Sequence, residues 1–164
     1  MKSMRYKRLV KLLFLAINPS YKKYGKYAML VFYNKIKRKL YRNENHIFLF
    51  ILSPPFCGST LLTEVISTSN KVSSNNTKGT REGQKLPTTI EKMYDPNNRW
   101  NPEVHYDWKL IKKEWLKYWD ITKPILVEKS PPNIIRASSI ERAFHPTLFI
   151  IFVRNPYAHV CSLM

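Results

Sequence analysis

Two apolar runs, HIFLFIL (His46 to Leu52) and TLFIIFV (Thr147 to Val153), constrain this chain more than any other feature. Neither alternates apolar with polar residues, so each reads as a strand covered on both faces, the habit of parallel sheets flanked by helices. Each run breaks into a proline-bearing turn and then opens a helix. The first turn is Ser53-Pro54-Pro55-Phe56-Cys57-Gly58-Ser59-Thr60 and the second is Arg154-Asn155-Pro156. Strand, loop and helix in that order place free backbone amides at a helix start, where anions bind. Two such turns suggest a ligand with two anionic ends.

The residues between the runs fit the same plan. Pro124 to Glu128 (PILVE) is a short apolar strand, and Asn133 to Phe144 reads as a helix with Asn133 as its cap. Helix is expected over 59 to 69 and near 106 to 119, where Trp108, Ile111, Trp115, Tyr118 and Trp119 share one face. That aromatic stripe reads as core rather than as a ligand site. Ser69 to Gly83 is a polar loop with room for a short strand. Strands alternating with helices give the expected fold class: α/β, a three-layer sandwich with a mostly parallel central sheet and a P-loop-like strand-loop-helix.

At 164 residues and 44% hydrophobic, the chain has material for one core. Its net charge of +17 is unevenly placed, because 13 of the 28 Lys and Arg precede the first acid, Glu44. Residues 1 to 43 therefore form a basic arm, and 44 to 164 form an α/β domain carrying only +4. Apolar residues at helical spacing (Leu9, Leu12, Leu13, Ala16, Ile17, then Tyr24, Tyr27, Ala28, Val31) predict two amphipathic helices in the arm. Packing on the domain is the simplest role for them; peripheral contact with an anionic membrane is the second, and nucleic acid is the least favoured. Neither apolar cluster approaches the ~20 residues of a spanning helix, so the expected location is cytoplasmic or peripheral at a membrane surface, without signal peptide or anchor.

Cys57 and Cys161 are too few for a disulfide framework and are expected as reduced thiols. The four histidines show no zinc-type spacing, so no metal is expected. Cys57 reads as a small buried residue rather than a nucleophile, since nothing in the sequence ties a histidine to it.

In the first turn Gly58 allows close backbone approach, while Ser59 and Thr60 put hydroxyls and amides at the start of a helix. The GxxxxGK[ST] of nucleotide-hydrolysing loops is absent, because neither the first Gly nor the Lys is present. Arg154 offers a planar fork suited to phosphate, and Pro156 starts a helix that carries the Ser162 hydroxyl.

SPPFCGSTLL and FIIFVRNPYAHVCSLM resemble the two cofactor signatures of sulfotransferases that use 3′-phosphoadenosine 5′-phosphosulfate (PAPS), and EKSPPN (residues 128 to 133) adds to the likeness. The resemblance spans residues 46 to 164. It implies that Phe56, Cys57, Gly58, Ser59 and Thr60 bind the 5′-phosphosulfate and that Arg154 and Ser162 hold the 3′-phosphate. It also implies a catalytic base after the second strand, a place taken by Glu82, whose alternative reading is a solvated loop acid paired with Arg81. Lys129, at the C-terminal end of PILVE, is the candidate electrophilic helper, with a surface lysine as its plainer reading.

The pattern departs from the family where Phe56 stands in place of a Lys or Arg and Cys57 in place of a Ser. Loss of a cation aimed at developing charge costs roughly a hundredfold or more in turnover unless Lys129, Arg81 or an arm lysine replaces it. The chain also ends two residues past Ser162, earlier than family domains do. The functional expectation is sulfonate transfer to a hydroxyl or amine of a carbohydrate, protein or small molecule. The alternatives are an idle nucleotide-binding or interaction module and, behind it, a nucleotide kinase.

Overall fold

The computed structural model describes residues 22–40 and 45–161. The expected first arm helix, near Leu9 to Ile17, and Ser162 lie outside the described residues. The chain is α/β with one four-stranded sheet, order β2-β3-β1-β4 and parallel at every pairing. The strands are β1 (Ile47–Leu52), β2 (Val72–Ser74), β3 (Ile125–Glu128) and β4 (Thr147–Ile151). The helices are α1 (Lys22–Leu40), α2 (Ser59–Ile66), α3 (Ile90–Met93), α4 (Trp108–Trp115), α5 (Ala137–Ala143) and α6 (Pro156–Cys161).

The unalternated apolar composition of β1 has the expected consequence. Successive side chains of a strand point to opposite faces. Phe48, Phe50 and Leu52 enter one cluster with Leu126, Trp115, Trp119, Ile140 and Phe144, while Ile51 packs with Val127, Leu49, Leu62, Ile66 and Phe152 in another. Both faces of the central strand are thus buried, an arrangement compatible with three layers. The first cluster is held by edge-to-face rings, among them Phe50 and Phe144 with centroids 5.0 Å apart. Trp115 and Trp119 are fully buried, as the helical stripe implied. Their indole N–H groups donate to the carbonyls of Gly83 at 3.2 Å and Val127 at 2.8 Å.

Several boundaries shift. The helix expected over 59 to 69 ends at Ile66, and the one expected from 106 to 119 is regular over Trp108–Trp115, capped by Asp107, whose side chain accepts from Leu110 N. The helix expected from Asn133 to Phe144 is a 3₁₀ turn, Pro131–Arg136, followed by α5. Asn133 does not cap it: its buried amide donates to Glu128 instead. β4 is an edge strand rather than a fully covered one, with Leu148 and Ile151 exposed.

α1 packs on the domain through Tyr27, Leu30 and Val31, which lie against the first cluster. Tyr27 meets Tyr118 edge-on at 5.9 Å, Lys37 pairs with Asp120 at 2.5 Å, and the buried Asn34 amide donates to the carbonyls of Lys117 at 3.1 Å and Tyr118 at 3.0 Å. The opposite face exposes Met29, Phe32, Tyr33 and Ile36 at helical spacing. Asn34→Ala removes both donors and strands two carbonyls, so it should lower unfolding free energy in urea by about 1–3 kcal/mol. A loss below ~0.3 kcal/mol would mean that α1 does not dock in solution.

Candidate functional site

In a parallel sheet all strands deliver their C-terminal ends to one rim, where open α/β sheets bind ligands. Here that rim collects the turn after β1, the segment following β2 and the turn after β3. Gly58 stands at the start of α2 with φ 93°, a left-handed conformation that favours glycine. Phe56 also has positive φ, 61°, uncommon for a bulky residue, and its ring is 65% exposed. The side chain that replaces the expected cation therefore points outward. Ser59 is buried and Thr60 is half-buried.

A cation reaches the start of α2 from the residue that follows β3. Lys129 is buried, and its Nζ donates to Thr60 Oγ1 at 3.2 Å and to Thr80 O at 3.1 Å, at the start of α2. Desolvation pushes its pKa below the usual lysine value, opposed by the nearby charges of Glu82 and Glu128. Arg81, the other domain cation considered for this role, is turned away toward Glu64 on α2 at 3.1 Å.

Glu82 is a buried acid, not a solvated partner of Arg81. Its carboxylate lies 3.7 Å from Lys129 Nζ and 3.4 Å from Lys85 Nζ, and it accepts from Gln84 Nε2 at 2.5 Å. Thr60, Glu82 and Lys129, singled out from three separate stretches of sequence, are brought together.

Beneath them lies Glu128, a residue of EKSPPN to which sequence reasoning gave no role. It is 1% exposed and accepts from Gly83 N at 2.9 Å, Ser130 Oγ at 2.5 Å and the Asn133 amide. Burial drives its pKa up to about 7 against the opposing pull of the Ser130 and Gly83 donors, with Glu82 adding repulsion and Lys129 attraction. Gly83 is irreplaceable here by size: a Cβ would sit 2.5 Å from Asn75 Nδ2 and 2.7 Å from Glu128 Oε1. The available sequence signal was an acid closing an otherwise apolar strand next to a lysine, both at the ligand-binding rim.

The turn after β4 is a neighbour of the turn after β1. Phe152 N donates to Leu52 O at 2.9 Å, and a Cβ on Gly58 would lie 3.8 Å from the Phe152 ring. Arg154 is exposed just beyond it. Cys57 is buried, as expected, but one histidine is tied to it, contrary to the sequence reading: Sγ lies 3.4 Å from His159 Nδ1 on α6. The linear spacing of 102 residues hid that contact. Among the described residues no group of three or more His, Cys, Asp or Glu is arranged to hold a metal, and no helix is long and apolar enough to cross a membrane.

No family model matches the chain, and comparisons with curated proteins and with solved structures find no match. Function is therefore read from the geometry of the rim.

Glu128 yields a pH test. A carboxyl whose folded pKa is raised from 4.5 to about 7 contributes most to stability below pH 4.5, and that contribution is lost as pH rises through 7. Unfolding free energy should therefore fall from pH 5 to pH 8 by on the order of 3 kcal/mol at most. Glu128→Gln should abolish that slope without a large penalty at pH 8. A turn of the Asn133 amide would bring its Oδ1, which has no hydrogen-bond partner among the described residues, to the new N–H in place of the donor that now faces Glu128. A parallel slope in both proteins would show that Glu128 is not the titrating group.

Proposed function

We propose that this chain is a PAPS-dependent sulfotransferase, moving a sulfonate group to an acceptor hydroxyl or amine. One observation carries the reading: Lys129 Nζ stands between Thr60 Oγ1 at 3.2 Å and the Glu82 carboxylate at 3.7 Å, on the rim of a parallel sheet. A loop suited to an anion, a cation and a buried carboxylate are thereby within reach of one reacting group. PAPS would supply the activated sulfonate; binding, orientation and proton transfer fall to the chain's own residues.

The turn from Phe56 to Thr60 is read as a P-loop-like anion site that holds the 5′ end, with α2 amides and the Lys129 ammonium as donors. The donor set suits such a group, because the hydroxyl and ammonium of two separate elements already converge there. Arg154, on the adjacent turn, is assigned to the 3′-phosphate, and Ser162 is proposed for the same group from the sequence alone. Glu82 accepts the proton of the acceptor, and the Gln84 amide and Lys85 hold its carboxylate in place. Lys129 neutralises charge on the departing oxygen.

Glu82→Gln should lower sulfonate transfer by about 10²–10⁴-fold while leaving 3′,5′-ADP affinity near that of the parent protein. Arg154→Ala should weaken 3′,5′-ADP by about tenfold or more in calorimetry. No measurable 3′,5′-ADP binding, or an Arg154→Ala variant that binds as the parent does, would overturn the nucleotide site. Binding with no transfer to any acceptor would favour the idle module, and protection from unfolding by ATP with Mg²⁺ rather than by 3′,5′-ADP would favour a kinase.

The basic arm is read as a membrane contact. The exposed stripe of Met29, Phe32, Tyr33 and Ile36 lies on α1, whose sequence holds seven Lys and Arg. The chain should float with vesicles containing phosphatidylserine and not with phosphatidylcholine alone. Met29→Ser/Phe32→Ser/Ile36→Ser should reduce flotation several-fold; equal flotation on neutral vesicles, or of the triple variant, would remove this role.

A further inference from the structure

A cavity of about 810 Å³ opens beside the Glu82 cluster, between α1 and the segment from Asn76 to Tyr94. Its walls include Lys26 and Tyr27 from α1, Lys78 and Thr80 from the loop after β2, and Lys85 and Tyr94. Among the described residues, three lysines and no acid line it. Two of these wall residues also belong to the reacting cluster: Lys85 Nζ donates to Thr80 Oγ1 at 3.0 Å and approaches Glu82, while Thr80 O accepts from Lys129. The cavity therefore shares two wall residues with the cluster that holds Glu82 and Lys129, although neither of those side chains lines it.

We infer that this cavity is the acceptor site and that its acceptor is an acidic oligosaccharide, held at its carboxylate or sulfate groups by Lys26 and Lys78. The inference rests on the sulfotransferase reading for the reaction but on different residues for binding. The volume suits a few sugar rings. Tyr27 and Tyr94 seat two of these lysines over their rings, with Lys78 Nζ 4.7 Å from the Tyr27 ring centre and Lys85 Nζ 5.2 Å from that of Tyr94. Lys78 has its pKa lowered by desolvation and by the charge of Lys26, a cost that a bound anion relieves. A peptide that docks by adding a strand to the sheet is disfavoured, and an acidic peptide held by the lysines alone is the competing outcome of the test. The nearest edge strand, β2, is buried at all three residues, and Ser73 Oγ already accepts from Asp120 N. α1 is on this view part of the specificity machinery, since it contributes one wall and one of the three cations.

The test is calorimetry at about 0.15 M salt with an oligogalacturonate as probe, its uncharged oligogalactose counterpart, and an oligoglutamate of the same charge. The oligogalacturonate should bind best. Lys26→Ala/Lys78→Ala should weaken it by about tenfold or more, whereas Lys109→Ala/Lys113→Ala, which removes equal charge from exposed positions of α4, should change it less than about twofold. Affinity for 3′,5′-ADP should be the same in all variants, which separates failure of this site from failure of the donor site. Equal weakening by both lysine pairs would reduce the effect to overall charge and overturn the proposal. So would equal binding of the uncharged probe, no binding of the acidic one, or tighter binding of oligoglutamate.

Discussion

The rim of this sheet is organised around a carboxyl group that has no access to water. Glu128 ends β3 with its side chain fully buried, and its oxygens collect donors from the segment after β2, from the turn after β3 and from the 3₁₀ turn beyond. An uncompensated buried carboxylate is costly, so each donor is held firmly by the requirement that the others be present. Gly83, clamped against Glu128, in turn gives its carbonyl to Trp115 and Thr89. Glu82 and Gln84 flank that fixed point, so the position of the proposed base follows from the burial of a different acid.

Much of the sheet was legible because its cause is local. β1 and β3 are short, apolar and β-branched or aromatic, and their turns contain proline or glycine. The same signal overstated β4, since an apolar run looks identical at a sheet centre and at its edge; only the pairing order distinguishes them. The misreading of Asn133 has a similar source. A side-chain amide after two prolines is a good helix cap, but a buried carboxyl five residues earlier in the chain is a stronger attraction for it.

Within the site, Glu82 was singled out through the family resemblance, while Thr60 and Lys129 were legible from their places at a helix start and a strand end. Glu128, Lys85 and the contact between Cys57 and His159 were not, because their significance lies in distances that the sequence does not contain. At Phe56 the absence of a cation was readable, whereas which of the candidate cations stands near that turn was not. Lys129 reaches the start of α2 from the end of the neighbouring strand, 69 residues away along the chain. Charge is distributed by position in space, so the absence of a cation at one motif position says little about the charges that surround that turn.

β1 is paired on both sides with segments made much later in synthesis: Ile47 with Ile125 and Phe48 with Thr147. One of the two most apolar runs of the chain must therefore wait while roughly eighty residues leave the ribosome before its first neighbour exists, and about twenty more before its second. Such non-local closure slows folding and leaves strand edges open to other nascent chains. Yield in cells should consequently respond to translation rate and to chaperone supply more than to the stability of the finished sheet.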